Sequence, residues 1–151
     1  MDDELKAVYE RIFARELLAR DELCAKYPMF TEAAVVATNK PTGSPDAIRQ
    51  WRREGRIFGV RYKGEDRYPA FQFENGMPKS VIAKILEHLS PEDLVARSNS
   101  DLEPPYSEWA TAFWFAGANG WLEGEIPVEL IDLDPMAVVM AASHARDKTS
   151  D

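Results

Sequence analysis

The chain has 151 residues, 45% of them hydrophobic and 29% charged, with a net charge of −8. That is room for one domain or two small subdomains with a water-facing globular composition, and the overall acidity opposes loose, sequence-independent nucleic-acid binding. A single cysteine, Cys24, excludes an intramolecular disulfide and a thiolate zinc site; no apolar run is long enough to span a bilayer, and the acidic start MDDELK is unlike a secretory signal, so the expected location is the cytoplasm.

Residues 2–26 predict one helix, with Leu5, Val8, Tyr9, Ile12, Phe13 and Leu17 at three- and four-residue steps and Pro28 ending the pattern. The stripe fades after Leu17, so the last turns are expected to be the more exposed. Thr31 suits the cap of a short helix over 32–38, with Ala33, Ala34, Val35, Val36 and Ala37 packing inward. NKPTG is a turn, and Ser44–Pro45 is an N-cap and N1 pair opening a helix that runs to Gly55. Two extended runs follow, Ile57–Tyr62 and Tyr68–Phe73, joined through KGEDR into a hairpin. An amphipathic helix is expected over 79–89. The polar, proline-bearing 98–106 segment reads as a linker between an N-terminal region, 1–97, and a C-terminal one, 107–151, each with its own core.

Charge is unevenly spread. Residues 39–67 hold eight Lys/Arg against four Asp/Glu, a basic island of +4 between flanks of −3 (residues 1–38) and −9 (residues 68–151). Helix, turn, helix and hairpin in that order are the parts of a winged helix-turn-helix. On a wheel of about 100° per residue, Ile48 and Trp51 of the second helix face the core, and Arg49, Arg52, Arg53 and Arg56 gather on another side with Gln50 beyond them. Arginine bonds guanine edges or phosphates and glutamine reads adenine. Arg61, Lys63 and Arg67 of the hairpin, together with Lys40 and Ser44 ahead of the helix, complete the expected DNA-contacting set. The bland reading is a solvated face of arginines; a patch for an acidic protein is a further one.

Ser107 is expected to cap a helix holding Trp109, Phe113, Trp114 and Phe115, apolar nearly all round and therefore buried. Asn119–Gly120 stops it, Pro127 opens a short helix over 127–131, and Asp134–Pro135 opens a last one reaching about Arg146. Trp114–Phe115, Trp121–Leu122, Gly124, Pro127, Leu130 and Asp134–Pro135 keep a spacing that resembles the toxin-binding domain of the Xre/MbcA/ParS antitoxin family. Glu123 and Glu125 stand where that pattern carries a Gly and a basic residue. The winged segment ahead of the block also looks like one found in some members. The resemblance implies an antitoxin that neutralises a RES-domain toxin, an enzyme that consumes NAD, and represses its own operon, with Trp121, Leu122, Glu125, Ile126, Pro127 and Leu130 as candidate partner-binding residues.

His88 and His144 are too few and too far apart for a metal centre, Ser143 and His144 point about 100° apart on a helix, and no P-loop, GxSxG or GxGxxG is present. The expectation is therefore a non-enzyme without cofactor. The fold expected is mainly α: a winged helix-turn-helix with one small hairpin plus a C-terminal helical partner-binding block, working as a homodimer. Two other functions stay open. One is a transcription regulator without a toxin, its C-terminal block serving dimerisation or ligand sensing. The other is a protein-interaction module.

Overall fold

The computed structural model describes residues 2–38, 45–89 and 105–145. Helix α1 spans Asp3–Lys26; the Asp2 side chain accepts a hydrogen bond from the Glu4 N–H at its start, and Tyr27, extended, ends it before Pro28. Its apolar stripe behaves in the opposite way to the sequence expectation. Leu5, Val8, Tyr9, Ile12, Phe13 and Leu17 are all exposed, whereas Leu23 is buried and Cys24 and Tyr27 pack against the core. The reason is where the other described elements lie: among the described residues, the core is met by the last turns of α1.

Strand β1 (Met29–Thr31) follows, a strand of three residues too short to read from alternation. Thr31 then caps α2 (Glu32–Thr38), its Oγ1 accepting from the Ala34 N–H at 3.2 Å. Of the five residues expected to pack inward on α2, Val35 is fully buried and Ala33 and Ala37 are exposed. Helix α3 (Pro45–Arg53) buries Ile48 and Trp51 as expected and stops two residues before Gly55, whose φ of +75° is left-handed and costs glycine nothing.

The hairpin is tighter than the expected five-residue loop. Strands β2 (Val60–Tyr62) and β3 (Glu65–Pro69) are joined by Lys63 and Gly64 alone, at φ +51° and +81°, the two positive values of a type I′ turn. Arg61 pairs with Asp66 across it, and β1 pairs on the other side of β3, Phe30 opposite Tyr68. The sheet order is thus β1-β3-β2, all antiparallel. A helix, a strand, two helices and a hairpin closed into such a sheet form a winged helix-turn-helix.

The residues expected to continue the second strand do something else. Ala70–Gln72 form a 3₁₀ turn, and β4 (Phe73–Glu74) and β5 (Met77–Pro78) make a second small hairpin around Asn75–Gly76. Gln72 is fully buried and acts as a surrogate strand partner: its Oε1 accepts from the Phe58 N–H at 2.7 Å, and its Nε2 donates to the Phe58 and Pro69 carbonyls at 2.9 and 3.2 Å. All three groups would otherwise be buried backbone without a partner.

Helices α4 (Ser80–His88), α5 (Pro105–Ala116), α6 (Pro127–Leu130) and α7 (Pro135–Ser143) complete the chain. Asp134 caps α7, its Oδ1 accepting from Ala137 N–H. Most of the 98–106 linker lies outside the described residues, but the expectation of two separate cores is corrected. One cluster contains Leu23, Phe58 and Val60 from the winged part, Ile82, Ile85 and Leu89 from α4 and its end, and Trp109, Phe115, Ile131, Val138 and Ala142 from the C-terminal block. Phe58 stacks on Phe115 with centroids 5.5 Å apart, and Phe71 lies 5.1 Å from the same ring. A smaller cluster, Val35, Ile48, Trp51, Ile57 and Tyr68, holds α2 and α3 against the sheet. The larger cluster thus draws on both sides of the expected boundary.

Candidate functional site

Helix α3 is short, and two core residues fix its rotation. With Ile48 and Trp51 pinned in the smaller cluster, Arg49, Gln50 and Arg53 face solvent. Arg49 reaches Glu32 of α2 at 3.2 Å and Asp46 at 4.0 Å; Arg53 donates to Gln50 at 2.8 Å, and Gln50 donates to Glu54 at 3.2 Å. These are exposed surface contacts, each worth about 1 kcal/mol or less, which a phosphate would displace readily. Arg56, half-buried past the helix end, lies with its guanidinium 5.7 Å from the Trp51 ring centroid. Lys40 and Ser44 lie outside the described residues.

Arg52 does not belong with them. It follows Ile48 by four residues, so it leaves the helix on the side facing the body of the protein rather than with Arg49 and Arg53. Its Nη2 donates to both carboxylate oxygens of Glu108 on α5, at 2.5 and 2.6 Å, and its Nη1 lies 3.8 Å from Asp66. Burial opposes the Arg52 charge, but the Glu108 carboxylate, by its charge and its hydrogen bonds, more than offsets this and holds the guanidinium above its ordinary pKa. Glu108 also accepts the Gly59 N–H at 3.2 Å. A Cβ on Gly59 would lie 3.0 Å from the Tyr68 ring and 3.2 Å from the Arg52 guanidinium carbon, so only glycine admits this approach without displacing them.

The first turns of α5 therefore anchor both α3 and the hairpin. Next to Glu108, the Trp109 Nε1 donates to the Arg61 carbonyl at 3.0 Å, its ring meets Tyr62 edge-on, and the Arg20 guanidinium lies 5.0 Å from its centroid. Tyr62 in turn donates its hydroxyl to Asp21 of α1 at 2.5 Å, a hydrogen bond that raises the Tyr62 pKa. Glu108→Ala is expected to lower the unfolding free energy by about 2 kcal/mol, because it strands the Arg52 charge and the Gly59 N–H together. The value falls below the cost of breaking a fully buried pair because both side chains keep 28% of their surface exposed. Urea denaturation measures it; an unchanged midpoint would mean the pair is only a surface contact.

On the hairpin, Arg61 and Lys63 are exposed and Arg67 is half-buried. The island carries its own anions here: Arg61 lies 3.3 Å from Asp66, and Arg67 lies 2.8 Å from Glu65. Among the described residues, the outward, basic part of the expected DNA set thus reduces to Arg49, Arg53 and Arg56 around α3 and Arg61 and Lys63 on the hairpin, with Gln50 among them.

The expected partner-binding residues divide. Trp121 lies on a 3₁₀ turn (Gly120–Leu122) that Asn119 builds, its Oδ1 accepting the Trp121 N–H at 2.9 Å, with Glu123 and Gly124 both left-handed. Trp121 is 43% exposed, and its ring stacks on that of His144 with centroids 3.7 Å apart, a contact that fixes its direction. Glu125 is exposed, Ile126 and Leu130 are half-buried, and Leu122 and Pro127 are buried, so the last two are corrected to core residues. Residues that the sequence pattern did not single out lie close by in the chain: Leu133 is 82% exposed, Met136 60% and Met140 40%. Met136, Met140 and His144 follow at four-residue steps, so one apolar strip leads along α7 to the Trp121–His144 stack. The signal in the sequence was that spacing, obscured because α7 is apolar on its buried side as well.

Among the described residues no group of three or more His, Cys, Asp or Glu side chains is placed to hold a metal ion, and no helix is long and apolar enough to cross a membrane. Burial and then the Asp21 carboxylate push the Cys24 thiol up, the opposite of what activates a nucleophile. No protein-family model matches the chain, no curated protein matches it, and no solved structure matches it.

Proposed function

We propose that the protein binds duplex DNA through α3 and the β2–β3 hairpin and holds a protein partner on the strip that ends at Trp121. This is the pair of tasks of an antitoxin that represses its own operon. The observation that carries the reading is the winged helix-turn-helix topology with Arg49 and Arg53 exposed on α3 and Arg61 and Lys63 exposed on the hairpin. Phosphate contacts from such residues position a protein on the duplex, and Gln50 among them is suited to a base edge.

The resemblance of the C-terminal block to the Xre/MbcA/ParS family supplies the partner's identity, a RES-domain toxin. Two features support it. An exposed strip of Leu133, Met136, Met140 and Trp121 needs an apolar cover, and the −9 charge of residues 68–151 suits a partner with a cationic, phosphate-binding pocket. A regulator without a toxin is the second reading, favoured by the shared core, which makes the C-terminal block a structural support for α3. Co-expression with the product of the adjacent gene separates the two. Capture of a RES-like protein by the full chain, abolished by Trp121→Ala without a change in the free protein's melting temperature, is the expected result; a neighbouring frame of unrelated kind, or none captured, leaves the regulator.

A further inference from the structure

The first turns of α1 carry an apolar face with none of the other described residues packed upon it. Leu5 and Leu23 are 18 residues apart, about five whole turns, and so point to the same side. At Leu23 that side is buried in the main core, whereas at Tyr9 and Ile12 it is 56% and 54% exposed. From Leu5 to Leu17 the face runs about 18 Å, long enough for a helix partner and too apolar for a solvated end.

The charges beside it indicate which partner. Residues 2–10 hold Asp2, Asp3, Glu4 and Glu10 against Lys6, and residues 11–20 hold Arg11, Arg15 and Arg20 against Glu16. Glu16 is taken by Arg20 at 3.1 Å, and no ion pair within the described residues engages Arg11 or Arg15, which are four residues apart and repel each other. The helix is therefore acidic at its start and basic in its middle. A second copy laid antiparallel brings each acidic start alongside the other's Arg11 and Arg15, while a parallel copy would set like charge on like.

We propose that α1 pairs with α1 of a second copy, antiparallel about a two-fold axis passing near Val8 and Tyr9, which sets Leu5 against the other copy's Ile12 and residues 2–4 beside its residues 13–15, and that this is the contact that makes the protein a dimer. The inference does not depend on DNA or on a toxin. The test is sedimentation of the full chain at micromolar concentration. Wild type is expected to be a dimer, and Ile12→Glu, a change at an exposed position that leaves the core untouched, is expected to raise the dimer dissociation constant by at least about tenfold. Unchanged far-ultraviolet circular dichroism verifies that the variant is folded. Reversing either charge patch alone, Arg11→Glu with Arg15→Glu or Asp3→Lys with Glu4→Lys, weakens the dimer, and the four changes together restore it. A monomeric wild type, a dimer indifferent to Ile12→Glu, or a dimer indifferent to the single reversals overturns the proposal.

Discussion

Replacing Trp109 by Ala is expected to lower the free energy of unfolding by about 3–5 kcal/mol, the range for emptying a large aromatic site in a packed core. Trp109 is 1% exposed and lies where three parts of the chain meet. Its indole N–H is bonded to Arg61 on the hairpin, its ring is edge-on to Tyr62, and the Arg20 guanidinium of α1 faces it. Loss of the ring leaves a cavity and a hairpin carbonyl without its donor. Because the core it joins draws on both ends of the chain, wild type and variant alike are expected to unfold in one transition, with tryptophan fluorescence and circular dichroism coinciding along a urea titration. The fragment 105–145 alone is expected not to unfold cooperatively; a sharp transition from it would mean the C-terminal block closes a core of its own.

The Arg49→Ala, Arg53→Ala double variant is expected to bind its duplex about a hundredfold or more weakly, roughly 3 kcal/mol for two arginines that contact bases or phosphates. Its stability should hardly move, since both side chains are exposed and their partners Glu32, Asp46 and Gln50 lie on the surface. Fluorescence anisotropy at several salt concentrations is the measurement, and the salt slope should fall by about one unit for each phosphate that the variant no longer neutralises. Arg52→Ala is the informative control. Held by Glu108, Arg52 is expected to matter for stability, and the salt slope of a variant that remains folded should be unchanged. Undiminished affinity in the double variant would remove α3 from the DNA interface, and a salt slope that fell with Arg52→Ala would return that residue to it.

Much of the fold was legible because it is written in residues that act on their immediate neighbours. Pro45 and Gly55 bracket α3, Thr31 caps α2, and Asp134–Pro135 opens α7, each through bonds or dihedral limits spanning four residues or fewer. The amphipathic pattern of α4 and the all-round apolar α5 announced which elements are buried. Ile48 and Trp51 on one side of α3 fixed its rotation, and hence the outward direction of Arg49 and Arg53, before any tertiary neighbour was known.

Tertiary structure alone decided the rest, for a common physical reason. Arg52 and Arg53 are the same residue type side by side, and their different fates depend on Glu108, 56 residues beyond Arg52. The three-residue strand β1 exists because β3 offers it hydrogen bonds, and Gln72 is buried because Phe58 presents it a bare peptide group. Trp109 and Phe58 share one core, so the boundary suggested by a polar, proline-bearing stretch does not divide the packing. The stripe on α1 is clearest from Leu5 to Leu17 and fades after it, yet it is Leu23, beyond the stripe, that is buried. A local pattern states that a face must be covered, and the folded chain determines what covers it.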